Sequence, residues 1–275
     1  MNSSFPKYRI APTPSGLLHI GNGVSFALTS LLARQHDATL LLRIDDLDRA
    51  RFRQQYLKDI FTTLRWMGIE WQEGPTDPKN FIERHSQHHR LRRYREVLNQ
   101  LTGTKLVYAC SCSRREIRAR STDGNYPGTC RHRNLPLDTP GVAWRLRVEE
   151  NTIVRGYQLA SLLGDVVIRK KDGFPAYQLG SVVDDFDYRI THVVRGIDLL
   201  PSTLFQIYLA QLLSYQRFDT IQFVHHPLIV DEGGDKLSKS TGAEALARWR
   251  ETGRGPQELF DRAEQWLASQ YNVVL

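Results

Sequence analysis

Cysteine is scarce in this chain: three among 275 residues, at Cys110, Cys112 and Cys130. An odd number so closely spaced excludes a disulfide framework of the secreted type. No run of eighteen apolar residues occurs, so no membrane-spanning helix is predicted. The segment 1–7 lacks the apolar centre of a signal peptide, which makes the cytoplasm the expected compartment. Internal repeats and low-complexity tracts are absent. So is a G-x-G-x-x-G sequence, which argues against a dinucleotide fingerprint. Acidic residues are the minority charge: 30 against 37 lysines and arginines, a net charge of +7. That balance permits a polyanionic partner without requiring one.

What the chain does hold is 41% hydrophobic residues, enough for a sizeable core. Residues 8–11 read as a short apolar strand. Pro12, Pro14 and the Ser15-Gly16 pair then break regular structure, and 27–33 reads as an apolar helix. Strand, loop and helix N-terminus offer free amides and the positive end of a helix dipole to a phosphate. His19 adds a donor there, and Gly16, Gly21 and Gly23 allow close backbone approach. A second strand over 40–44 ends in Arg43-Ile44-Asp45-Asp46-Leu47-Asp48-Arg49. Strand, helix, strand in this order predicts a parallel unit, with ligands at the carboxyl ends of the strands. Asp45 stands where a carboxylate meets an ammonium group; the same acids and arginines also suit a self-neutralising ion-pair network. Helices are expected over 56–68 and 85–101, the latter presenting His85, His88 and His89 on a solvated face. Further strands are expected over 165–169 and 192–194. A helix capped by Ser202 or Thr203 follows, then an apolar run over 222–230. Short helices over 243–252 and 257–270 end the chain. Cys110, Cys112 and Cys130 supply three thiolates, one short of a closed tetrahedral zinc site. His132 is the usual chemical choice for the fourth ligand, and Tyr126 the rarer one.

Two stretches about two hundred residues apart carry a resemblance. His19-Ile20-Gly21-Asn22 and Lys236-Leu237-Ser238-Lys239-Ser240, in that order, resemble the HIGH and KMSKS signatures of class I aminoacyl-tRNA synthetases. Arg43-Ile44-Asp45-Asp46 is similar to the R-I-E-D segment of glutamyl-type enzymes, with Asp where the pattern has Glu. Val193-Val194-Arg195-Gly196-Ile197-Asp198-Leu199 resembles the glutamyl and glutamyl-Q enzymes, and the region Cys110-Ser111-Cys112 to Asn125-Tyr126-Pro127-Gly128-Thr129-Cys130 resembles the zinc region of the glutamyl-Q branch. Only 35 residues follow Ser240, where full glutamyl enzymes continue into an anticodon-binding domain. The resemblance thus matches a catalytic core.

The resemblance implies a doubly wound, Rossmann-like α/β class I synthetase catalytic domain with a small zinc-containing insert. Residues 1–109 and 161–275 would be its halves, and 110–160 an insert approaching RNA, with arginines placed for phosphates. It implies glutamate binding by Arg9, Ile10, Ala11, Pro12, Thr13, Asp45, Tyr177 and Arg195. It implies ATP binding by His19, Gly21, Asn22 and Lys239, with His19, Lys236 and Lys239 in catalytic roles. Cys110, Cys112, Tyr126 and Cys130 would hold a structural Zn²⁺. The implied reaction is activation of L-glutamate by ATP, with Mg²⁺ and without tRNA, then transfer to queuosine at the wobble position of tRNA(Asp). A monomer is expected. The rival readings are an adenylating enzyme with another acceptor and a non-catalytic RNA-binding relic.

Overall fold

The computed structural model describes residues 5–121, 124–228, 245–269 and 273–274. The chain forms two compact units. The first comprises Met1–His89, Arg189–Leu199 and Ile221–Leu275; the second comprises Arg90–Tyr188 and Leu200–Thr220.

In the first unit, β1 (Lys7–Ile10) leads through the Pro12–Gly16 turn into α1 (Ile20–Gln35), and β2 (Thr39–Leu42) follows. Helix α2 (Gln54–Trp66) and a single turn, α3 (Pro78–Asn80), complete its first segment. Strands of the second unit come next in sequence: β3 (Val107–Cys110), β4 (Ala143–Leu146), β5 (Ile153–Val154), β6 (Tyr157–Gln158) and β7 (Val166–Arg169). Its helices are α4 (Leu91–Thr102), α5 (Arg114–Arg120), α6 (Leu159–Leu163), α7 (Tyr177–Asp187) and α8 (Leu200–Leu212). The chain re-enters the first unit at β8 (His192–Gly196) and β9 (Gln222–His226), then adds α9 (Leu246–Glu251), α10 (Gln257–Ala268) and β10 (Val273–Val274).

The first unit carries a five-stranded sheet in the order β10-β9-β8-β1-β2. All its neighbours are parallel except β10, which runs antiparallel to β9. The chain leaves β1 for β2 on one side and later places β8 and β9 on the other. Sequence order therefore reverses between β1 and β8, and a crevice outside the carboxyl ends of strands opens at such a reversal. The edge of β2 is closed by main chain: Gln72 and Glu73 donate to Leu40 O, and Leu42 N donates to Glu73 O at 2.9 Å. Gly74, at φ 103°, permits this approach, since a β-carbon there would lie 2.0 Å from Leu42 O.

Tyr8, Leu28, Leu57, Phe61, Trp249 and Leu259 are buried in one core with both terminal helices. Each such side chain contributes about 1.5–3 kcal/mol on burial. Gly23 belongs to this packing rather than to a ligand surface. A β-carbon on it would meet Leu259 at 2.8 Å and Leu246 at 3.0 Å, so the glycine lets α10 and α9 close on α1. The second unit holds an antiparallel sheet, β3-β4-β7, and a hairpin of β5 with β6.

Several elements differ from the sequence reading. Helix α1 begins at Ile20, seven residues before the expected 27. The expected helix 85–101 starts only at Leu91, because a π turn (Phe81–His85) and a 3-10 turn (Gln87–Arg90) precede it. There Ser86 Oγ and Gln87 N donate to Asp46 at 2.6 and 2.9 Å, which draws this segment inward. Ser202 and Thr203 are not caps: α8 starts at Leu200, continuous with a 3-10 turn over Ile197–Leu199.

At the amino end of β8, His192 stacks on Tyr8 with ring centroids 4.5 Å apart, and Tyr8 OH bonds His36 Nδ1 at 2.6 Å. Burial, then the charge of His36, lowers the His192 pKa; burial lowers that of His226. Both therefore favour the neutral form when folded. As pH falls through the usual histidine value of about 6.5, the unfolded chain takes up protons that the fold resists, and stability is lost. We expect the melting temperature to fall between about pH 7 and pH 5.5, and His192→Gln to flatten that fall. Equal slopes for variant and parent would count against this role of His192.

Candidate active site and metal centre

The carboxyl edge of the parallel sheet gathers most of the residues singled out from the sequence. Arg9 and Ile10 end β1. Backbone pairing then carries the two crossing segments together beyond the strands: Arg43 N donates to Ile10 O and Asp45 N to Pro12 O, both at 2.9 Å. Ala11, Pro12 and Thr13 run along this seam. Arg195 is the penultimate residue of β8, with Val194 and Arg195 in register with Val224 and His225 of β9. Arg9, Asp45 and Arg195 are 7%, 7% and 4% exposed. Three charged side chains buried at a strand-order reversal are costly to hold for stability alone and mark a candidate site.

His19 stands at the N-cap of α1 with extended backbone (φ −114°, ψ 172°). Its N–H donates to Asn22 Oδ1 at 3.1 Å, so Asn22 fixes the start of the helix. Gly21 occupies the first turn, where backbone amides point outward along the dipole. The Lys236–Ser240 signature, with Lys236 and Lys239, lies outside the described residues. Its flanks are described. On one side β9 ends at His226 on the carboxyl edge of the sheet. On the other, Ala245 bridges His19, and Leu246 N donates to Leu18 O at 2.9 Å.

Asp45 takes part in an ion pair: Arg43 Nε and Nη2 donate to its two oxygens at 2.7 and 3.1 Å. Gln87 Nε2 reaches it at 3.5 Å. The neighbouring acids are paired likewise, Asp46 with Arg49 and Asp48 with Arg51. The network reading of this segment is therefore present in the structure. Asp46 has a structural part, accepting from Ser86 and Gln87 and thereby holding the turn before α4. Arg195 lies over the ring of Phe223 with 5.0 Å from guanidinium carbon to centroid, a contact that orients its plane. Tyr177 belongs to the second unit, as the first residue of α7, and is 44% exposed.

In the second unit, Cys110 ends β3 and Cys112 follows in the loop before α5. Cys130 comes back to them in a segment where Tyr126 forms a bridge with Gly164. The three Sγ atoms lie within 4.8 Å of one another, Cys112 and Cys130 at 3.5 Å. Around Zn²⁺ with bonds of about 2.3 Å, tetrahedral sulfurs stand about 3.8 Å apart, so the cluster has the size of a metal site. The Tyr126 hydroxyl lies 3.4 Å from Cys110 Sγ and 4.0 Å from Cys112 Sγ, and accepts from Cys130 N at 2.7 Å. His132 is exposed and is not brought to this cluster. Burial, the contact with Cys130 and the neighbouring thiols push the Cys112 thiol up to about 11. Burial acts the same way on Cys130, but hydrogen bonds from Tyr126, Ser111 and Cys112 outweigh it and bring that thiol down to about 6. Gln87 and Arg145, which border these two clusters, were missed in the sequence. Each is an ordinary polar residue whose burial arises only from long-range pairing.

Comparison with known proteins agrees with this architecture. A family model described as tRNA synthetases class I (E and Q), catalytic domain, matches residues 7–138 and 141–262. The chain belongs to that family and is a ligase of the aminoacyl-tRNA synthetase type. It is 41% identical over 265 residues to a glutamyl-Q tRNA(Asp) synthetase of Verminephrobacter eiseniae, spanning 90% of this chain and 86% of that protein. A glutamyl-Q tRNA(Asp) synthetase of Burkholderia cenocepacia is 41% identical over 87% of this chain and 82% of its own length. Within the class, the chain belongs with the glutamyl-Q tRNA(Asp) synthetases. The crystal structure of a glutamate tRNA ligase from Elizabethkingia meningosepticum, in complex with its amino acid, superposes with a TM-score of 0.68 at 28% identity. It covers 87% of this chain and 53% of that one. No helix among the described residues is long and apolar enough to cross a membrane.

Proposed function

We propose that this chain activates L-glutamate with ATP in the absence of tRNA, and passes the glutamyl group to queuosine at the wobble position of tRNA(Asp). The observation that carries this reading is the gathering of Arg9, Asp45, Arg195 and the His19 N-cap at one carboxyl edge, beside the strand-order reversal. Arg195 receives the γ-carboxylate of glutamate in charge-assisted bonds. Asp45 faces the ammonium group, directly or through water, while Arg9 and the 10–13 seam line the pocket. The amides after His19, with Gly21 and Asn22, receive ATP phosphates. Lys239 is six residues from Ala245, which pairs with His19, so a chain reach of about 20 Å suffices to bring its ammonium to the phosphates. Lys236 acts from the same segment. Mg²⁺ accompanies the phosphates, and no side chain is assigned to it.

In the reaction, the glutamate α-carboxylate attacks the α-phosphorus in line, a P–O bond forms, and pyrophosphate leaves. Lys239 and His19 counter charge that grows on the phosphates, so positioning and electrostatics carry catalysis without a protein nucleophile. A nucleophilic oxygen of the acceptor then attacks the acyl carbon and AMP leaves. Cys110, Cys112, Tyr126 and Cys130 would hold zinc, which would supply a structural cross-link closed to substrate.

ATP–pyrophosphate exchange tests the reading. We expect exchange with glutamate alone, at a rate unchanged by added tRNA. Exchange that requires tRNA, or that prefers another amino acid, would overturn it. Transfer to queuosine-containing but not queuosine-lacking tRNA(Asp) identifies the acceptor.

A further inference from the structure

Arg145 lies in the middle of β4, 7% exposed. A guanidinium so buried ordinarily faces a carboxylate, since an unbalanced charge in the interior is costly. The adjacent carboxylate, Asp165, is already occupied. Arg131 donates to both of its oxygens at 2.7 and 2.6 Å, Val148 N donates at 2.9 Å, and the Tyr108 hydroxyl completes the set. Arg145 instead gives Nη1 to the backbone carbonyl of Asp165 at 2.7 Å, and its Nε is buried without an acceptor. Its guanidinium carbon sits 3.7 Å from the ring centroid of Tyr126. The hydroxyl on that same ring reaches the cysteine cluster.

The charges explain the arrangement. Three thiolates and a phenolate around Zn²⁺ form a dianion. Arg133, with Nη1 3.9 Å from Cys130 Sγ, and Lys171, whose Nζ donates to Ser111 O at 2.6 Å, are further cations there, but both are exposed and screened by water. Arg145 is enclosed with the cluster, where its field is undiminished.

We infer that Arg145 is the built-in counter-cation of the metal centre, holding the Tyr126 oxygen in place as an anionic fourth ligand. Its face-on contact is attractive to a neutral ring and stronger to a phenolate, whose π-face is more negative. This accounts for the use of tyrosine where an exposed histidine, His132, stands six residues away in sequence. Arg145 is a positioning residue acting through Tyr126. The inference rests on the zinc reading above.

The test is a double-mutant cycle on the full chain, read as the rate of zinc transfer to a chromophoric chelator. Zinc content of the parent is measured first. A parent that binds no metal removes both the zinc reading and this inference. With zinc bound, we expect Arg145→Met to speed release about tenfold, Arg145→Lys about threefold, and Arg133→Ala less than about twofold. In the Tyr126→Phe background, Arg145→Met should add less than about twofold. Cobalt-substituted Arg145→Met should shift its ligand-field bands in the direction seen for Tyr126→Phe. Equal acceleration in both backgrounds, or unchanged release in Arg145→Met, would overturn the inference while leaving the zinc site intact. Should Arg145→Met fail to fold, the same cycle with Arg145→Gln and Arg145→Lys decides between these outcomes.

Discussion

Arg195→Gln is expected to lower kcat/KM for glutamate in pyrophosphate exchange by about 10²–10³-fold, with little change in the KM for ATP. The argument starts from the strand. β8 is hydrogen-bonded between β1 and β9, so the Cα of Arg195 is fixed at the carboxyl edge. The side chain is 4% exposed and its plane lies over Phe223. A γ-carboxylate entering there meets a preformed planar donor at little entropic cost. Loss of the charge leaves the buried carboxylate without its counter-ion, a penalty of about 3–5 kcal/mol. Glutamine as substrate carries no such charge and loses less. The preference for glutamate over glutamine should therefore narrow in the variant. Arg195→Lys keeps the charge but not the fork and should fall between. Steady-state exchange with both amino acids makes the check: an unchanged glutamate-to-glutamine ratio in Arg195→Gln would remove Arg195 from the pocket.

Much of this site was legible because it lies in short, locally determined segments. Pro12, Pro14 and Gly16 end β1 whatever follows, the apolar β2 runs directly into Arg43, and Arg195 is the penultimate residue of β8. The start of α1 was not legible. Gly21, Asn22 and Gly23 are weak helix formers, and the helix forms there because Gly23 admits Leu246 and Leu259 from far down the chain. The same cause hid the true start of α4, delayed by the pull of Asp46 on Ser86 and Gln87. A capping residue for α8 was sought where none is needed, since the 3-10 turn before it runs directly into the helix. At the cysteine cluster the three thiols could be read from spacing, but spacing left His132 and Tyr126 open. In the structure the Tyr126 hydroxyl lies 3.4 Å from Cys110 Sγ, while His132 is exposed.

A second large effect is expected from Arg250→Met, and it concerns how His19 is held. Arg250 in α9 donates through Nη1 to Thr63 Oγ1 at 2.5 Å and through Nη2 to Asp59, both on α2. The other oxygen of Asp59 accepts from Leu18 N at 3.4 Å. Leu18 O accepts from Leu246 N, and His19 bridges Ala245. One buried carboxylate thus joins three segments: α2, the residue ahead of His19, and the chain returning from the Lys236–Ser240 segment. Removing Arg250 strands Asp59 in the interior with a single long hydrogen bond, at a cost of about 3–5 kcal/mol. A melting temperature lower by about 10 °C should result. Exchange activity should also fall below 25 °C, where the variant is still folded, because Leu18 and Ala245 no longer fix His19. Asp59→Asn in the same chain removes the stranded charge and should restore part of the lost stability, though not the tie between α2 and α9. An additive loss in the double variant, or an unaltered melting temperature in Arg250→Met, would mean that this pair does not secure the segment that carries His19.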